Sequence, residues 1–252
     1  MPYAQTLLLG ERHRMSIFAP RSIVAALFLA GLISTSQAQE PLKPTGILQA
    51  GFIVTAGVFN SELFAPYDVL EHSRYRDSDN YIACWVISQT GEELRTAEGI
   101  IVKPHHSFES APRLDIVILP SGENSMEGDL ANEAFITWIR KAIDDADWVM
   151  SLCDGAFPLA ATGHLDGRVA TTFPGDRERF AAAFPKIDVR FDLRFVVDGK
   201  FITSVGGAPS YEPAFWLVEH LYGVEHAQRT GQGLVVDWDA DSIEHLVVDA
   251  NK

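Results

Sequence analysis

Cys153 stands where a strand, a tight turn and a helix meet, and a thiol at such a corner can act as a nucleophile. Residues 146–152 rise through Trp148, Val149, Met150 and Leu152 to the cysteine. Asp154 and Gly155 follow at once, and residues 156–163 continue as a Leu/Ala stretch of helical character. In an open α/β sheet, ligands sit outside the carboxyl ends of the strands. A cysteine there also faces the positive end of the next helix, which favours the thiolate, the nucleophilic form. The alternative is a buried small hydrophobe, the commonest fate of a free cysteine. Spacing alone leaves both open.

The other chemistry-bearing residues form no comparable pattern. Cys84, the second of two cysteines, lies in the apolar run 81–88, which reads as a buried strand. Two cysteines on different central strands rarely meet disulfide geometry, so the pair is expected to stay reduced. His105 and His106 adjoin a strand end, but neighbours in an extended segment face opposite ways, which argues against a shared metal. His220 and His226 read as cap or surface residues. No zinc-type cysteine/histidine spacing and no phosphate-loop glycine pattern occurs.

The elements that position Cys153 follow from periodicity. Residues 48–55 read as a first strand. Asn60 or Ser61 can cap a helix carrying Glu62, Leu63, Phe64, Tyr67, Val69 and Leu70, with Pro66 in its first turn or two. Residues 81–88 and 114–119 are further core strands. Residues 94–102 read as a hairpin around Glu98-Gly99, and 129–145 as an amphipathic helix. After the Cys153 turn come a short strand at 167–172 and a helix from Pro174 to about Phe184. Strands at 189–197 and 201–205 are joined by the Asp198-Gly199 turn. A last main helix runs over 214–222. Strands separated by helices imply an α/β fold, a parallel-sheet sandwich covered by helices on both faces. Residues 225–252 read as a tail whose first apolar piece, 234–236, could be an edge strand or a packing arm.

The N-terminus reads as a secretory signal. Arg21 precedes a short apolar run at 23–33, and Ser36-Gln37-Ala38 fits a small-x-small cleavage site. The run is shorter than the roughly 18–20 residues that span a bilayer, and Met15 would open a signal of ordinary length. An uncleaved anchor is the alternative. Cleavage after Ala38 gives an exported, periplasmic or secreted protein with no stable membrane span. It removes three basic residues and one acid, which leaves 17 basic against 33 acidic residues, a net of −16. That charge argues against nucleic acid as a partner. Residues 39–48 then form a linker to one well-buried domain.

The block 151–172 resembles the ThiJ/PfpI superfamily, with its flavodoxin-like, class I glutamine amidotransferase-like fold. It looks closest to the branch of isonitrile hydratases and the amidase-like domains of some regulators. The resemblance covers residues 49–223. Glu62 with Pro66, Asp68 and Val69 matches the family's acid-bearing first helix. Leu119-Pro120-Ser121-Gly122 matches a loop beside the thiol, and residues 203–208 match a strand-to-helix turn near it.

The resemblance implies Cys153 as nucleophile, with the Glu62 carboxyl beside the sulfur. Backbone N–H groups of Gly122 and Asp154 would make an oxyanion-type pocket, with Phe173, Gly206 and Gly207 lining the site. A carboxylate beside a thiolate is repelled, so one of the two must be protonated. Departures bear on the reaction. Asp154 follows the nucleophile where several branches place histidine, and Phe173 follows Thr171-Thr172 where many do. The loss of a cysteine–histidine dyad disfavours protease or amidotransferase chemistry. Hydration or hydrolysis of a small electrophilic substrate, isonitrile-like or carbonyl, survives it without a cofactor or metal. A ligand-binding or thiol-sensing module and a glyoxalase or deglycase activity are the alternatives. A homodimer is expected from the resemblance.

Overall fold

The computed structural model describes residues 44–248. The signal segment expected at residues 1–38 lies outside the described residues. β1 (Leu48–Ile53) leads into α1 (Asn60–His72), and β2 (Ile82–Ser88) into a hairpin of β3 (Leu94–Arg95) and β4 (Ile101–Val102). β5 (His106–Ser107) and β6 (Ile116–Leu119) precede α2 (Gly128–Ala131) and α3 (Glu133–Asp145). β7 (Trp148–Leu152) ends at the Cys153 turn before α4 (Ala156–Ala161), and β8 (Val169–Ala170), α5 (Arg177–Ala183) and β9 (Asp188–Val189) follow. β10 (Phe195–Asp198), β11 (Phe201–Ser204), α6 (Tyr211–Tyr222), α7 (Val224–Leu234) and β12 (His245–Val248) complete the order.

The main sheet runs β12-β10-β11-β7-β6-β1-β2-β5. Its strand pairs are parallel except β10–β11, the hairpin closed at Asp198-Gly199. The stretch β2-β1-β6-β7-β11 is the flavodoxin-like order, whose ligand crevice opens between the first and third strands. In this chain those are β1 and β6, so the loops after them face the crevice. This is the layered α/β architecture expected from the strand and helix pattern.

Strands buried on both faces need unbroken apolar runs. Phe52 packs with Ile118 and Met150 against α1, α6 and α7, while its neighbour Ile53 packs with Val117 and Val149 against α3 and α4. Phe52 is fully buried, and truncating such a ring to alanine costs about 3–5 kcal/mol. Among the described residues no helix is long and apolar enough to cross a membrane.

Four local expectations change. Residues 224–248 are part of the core rather than a tail: α7 buries Ala227, and Trp238 is buried against Phe215. The apolar piece 234–236 is the end of α7, with Val235 in a left-handed conformation and exposed. Residues 246–248, in β12, lie on the edge strand, parallel to β10. The strand expected over 189–197 is two short strands in different sheets, β9 beside β8 and β10 in the main sheet, and the Phe191 and Leu193 carbonyls between them accept from Arg177. Finally, no side chain caps α1. The Asn60 N–H instead donates to Glu98 Oε2 at 3.0 Å, so the β3–β4 hairpin closes that helix end.

Candidate active site

The β7–α4 turn forces Cys153 into the left-handed region, at φ 54°. That conformation costs an L-residue roughly 1–2 kcal/mol, and a strained backbone of this kind gathers at functional sites. Two glycines make room for it. A Cβ on Gly155 would lie 2.0 Å from the Leu119 carbonyl oxygen, and one on Gly206 would lie 2.2 Å from Cys153 Cβ. Gly206 also has φ +73°. The thiol is therefore clamped between the end of β6 and the loop after β11.

Glu62 comes to the sulfur from α1. The Phe59 N–H donates to the Ser121 carbonyl at 3.1 Å, which ties the β1–α1 loop to the β6 loop. Pro66 removes the N–H that would otherwise bond the Glu62 carbonyl one turn back. Glu62 is 3% exposed. Its Oε2 accepts from the Ser121 N–H at 2.8 Å and the Ser121 hydroxyl at 2.6 Å. Its Oε1 accepts from the Gly207 N–H at 3.3 Å. The Cys153 thiol lies beside the same carboxylate.

Burial pushes the Glu62 carboxyl above its ordinary range, and the donors from Ser121, Gly207 and Cys153 pull it part of the way back. The thiol is pushed much further, first by burial and then by the negative charges of Glu62 and Asp154. The Ser121 hydroxyl and the Asp154 N–H oppose this. The expected thiolate is thus replaced by a resting thiol, because the short α4 does not outweigh desolvation and two neighbouring acids. The thiol is the favoured form of Cys153, and the Glu62 carboxyl lies beside it. The Ser121 hydroxyl proton is engaged by Glu62 Oε2.

The two backbone donors differ. Asp154 N–H acts on the sulfur and favours its thiolate. Gly122 N–H is committed to Ser125 Oγ at 2.8 Å, because the loop turns back on itself there. Its proposed oxyanion role is therefore occupied. Asp154 Oδ1 accepts from Thr172 Oγ1 at 3.1 Å. Burial first, and the Asp176 charge next, raise Asp154 to about 7. Thr172 Oγ1 also donates to the Cys153 carbonyl at 2.9 Å.

Phe173, Gly206 and Gly207 do share a pocket. With Pro174, Phe191 and Leu193 they line a cavity of about 390 Å³ beside the elbow. The histidines stay apart from it: His105 Nδ1 accepts the Val86 N–H at 2.9 Å, a structural role. Among the described residues no group of three or more His, Cys, Asp and Glu side chains could hold a metal ion. Sequence reasoning missed Ser121 as a side-chain donor and Asp176 altogether. Ser121 was visible inside the loop motif, whereas nothing in the spacing links Asp176 to Asp154.

The chain belongs to a known family. The DJ-1/PfpI family model matches residues 49–219, and the chain is a member of that family. It is 30% identical over 183 residues to an isonitrile hydratase of Pseudomonas putida, covering 72% of this chain and 75% of that protein. It is 28% identical over 171 residues to a deglycase of Pyrococcus horikoshii, covering 67% of this chain and 95% of the relative. The fold of a ThiJ/PfpI family protein from Pseudomonas syringae superposes with a TM-score of 0.68 at 19% identity, over 85% of each chain.

Proposed function

We propose that this protein is a cysteine-dependent hydratase or hydrolase acting on a small electrophilic carbon, isonitrile-like or carbonyl, after export. The observation that carries it is the buried Glu62 carboxyl beside a cysteine on a strained strand-to-helix turn. Residues 1–38 support export through their charged, apolar and small-residue order.

On an isonitrile the steps would run as follows. Sulfur attacks the terminal carbon while its proton passes to Glu62. Glu62 returns that proton to the same carbon, giving a thioimidate on Cys153. Water then adds, the C–S bond breaks, and a formamide leaves. The cavity beside Gly206, lined by Phe173, Phe191 and Leu193 together with Arg177, Asp192 and Arg194, would take the substrate's body.

A thiol-sensing role fits less well. Sensor cysteines are accessible and of low pKa, whereas Cys153 is 7% exposed and pushed upward. The test is turnover of a panel of isonitriles and α-oxoaldehydes by the purified protein and by Cys153→Ala. Turnover that disappears in the variant supports the proposal. Turnover that persists in it sinks the nucleophile.

A further inference from the structure

We propose that the cavity beside Gly206 is a carboxylate subsite with Arg177 as its anion-binding residue, so that the Cys153 site takes small electrophiles that carry an acid group. The inference rests on the cysteine-dependent reaction proposed above and names its substrate class.

Two arginines line that cavity, and they differ in what holds them. Arg194 is neutralised. Its Nε donates to Glu212 Oε2 at 3.0 Å and its Nη2 to Glu212 Oε1 at 2.5 Å, the fork a guanidinium offers a carboxylate. Arg177 has no such partner among the described residues, and it is the more deeply buried, at 7% exposed. Its Nε donates to Thr171 Oγ1 at 3.1 Å, its Nη2 to the Leu193 carbonyl at 2.8 Å and its Nη1 to the Phe191 carbonyl. All three acceptors are neutral, since the Thr171 hydroxyl proton goes to the Arg190 carbonyl at 2.9 Å. A guanidinium has five N–H donors, and these bonds use three. One N–H on each terminal nitrogen remains, the number that a planar carboxylate takes. A buried cation held only by neutral groups is costly, and an anion in the cavity offsets that cost.

The cavity connects this cation to the reacting groups. Gly206 and Gly207 both line it. Gly206 packs against Cys153, and the Gly207 N–H donates to Glu62 Oε1 at 3.3 Å. The threonine pair makes a second link: Thr171 Oγ1 accepts from Arg177, while Thr172 Oγ1 donates to the Cys153 carbonyl at 2.9 Å. A volume of about 390 Å³ holds a small molecule with its electrophilic carbon toward Cys153 and its carboxylate on the guanidinium. Asp192, the acid on the lining, is exposed and acts on Arg177 through space alone. Its charge is screened by water, whereas the guanidinium sits in the wall. The chain's formal net charge of −14 disfavours anions at long range, so recognition of an acid has to be local.

Arg177 takes no part in the bond-making steps. It binds the end of the substrate remote from the reacting carbon, equally in the ground state and the transition state, so its contribution falls on KM and leaves kcat nearly alone.

The test compares isocyanoacetate with its methyl ester, which share one isonitrile carbon and differ in the charge. In the wild type the KM for the acid should be about 10- to 100-fold lower than for the ester. In Arg177→Met that difference should vanish while turnover of the ester persists, and Arg177→Lys should restore part of it. A purely structural Arg177 would change both substrates alike. A wild-type KM for the acid equal to or above that for the ester overturns the subsite with no variant needed, so a variant that fails to fold does not rescue it. A preference for the acid that survives in Arg177→Met overturns the role of Arg177. Calorimetric titration of Cys153→Ala with the same two compounds needs no turnover. Tighter binding of the acid there supports the subsite even if the nucleophile fails, and equal affinities overturn the subsite even if the nucleophile stands.

Discussion

Ser121 grips Glu62 twice, with its backbone N–H at 2.8 Å and its hydroxyl at 2.6 Å on the same carboxylate oxygen. The contact joins the loop after β6 to the first turn of α1, across the crevice where the strand order reverses. Removing the hydroxyl in Ser121→Ala leaves the N–H in place. A hydrogen bond to a charged group contributes about 1.5–3 kcal/mol. Turnover should therefore fall about 10- to 100-fold, and the pH at which Glu62 ionises should rise, because a donor that favours the carboxylate is lost. A pH–rate profile of the variant reads both effects.

Gly206 is fixed by Cys153 beside it. A Cβ there meets Cys153 Cβ at 2.2 Å on a backbone at φ +73°. Gly206→Ala should lose about 1–3 kcal/mol to overpacking and more to the strained dihedral, with activity lost as well. Denaturant unfolding measures the first, and the spread of Cys153 labelling rates reports displacement of the thiol.

Asp154 makes stability depend on pH. Its carboxyl is raised to about 7 in the folded chain from 3.8. The folded state then binds more protons than the unfolded state between those values. The stability from this group is complete below about 3.8 and is lost as pH rises through about 7. Thermal unfolding of the wild type should therefore fall relative to Asp154→Asn across that window. A difference that does not change with pH would contradict the raised value.

Trp238 ties the last segment to the core. It is 4% exposed, stacks on Phe215 at 5.2 Å between centroids, and donates from Nε1 to Glu219 Oε2 at 2.6 Å. Trp238→Ala should cost about 3–5 kcal/mol, measurable by chemical denaturation. A loss under about 1 kcal/mol would return residues 224–248 to the status of a tail.

That segment also marks where the sequence stops being legible. The β7 strand, the Cys153 turn and the β10–β11 hairpin are local, and apolar runs ending in Gly-containing turns announce them. β12 is not local: its partner β10 lies about 50 residues back, and four residues of HLVV look alike in a strand or a loop. α7 carries two glycines and a polar majority, so its buried side is narrow. The site divides the same way. Glu62 and Cys153 sit in recognisable motifs. Asp176 reaches Asp154 only through the path of the Thr172 loop, which no spacing encodes. The state of the thiol was the other gap, since burial and two nearby acids exist only after folding.

The most direct test of the account is the pH dependence of Cys153 alkylation by iodoacetamide in the Cys84→Ala protein, alone and with Glu62→Gln. A resting thiol held by Glu62 predicts a rate still rising above the ordinary cysteine value of about 8.5, and a midpoint that drops when the Glu62 charge is removed. A plateau reached well below that value would mean a standing thiolate, and Glu62 would not be the group that takes its proton.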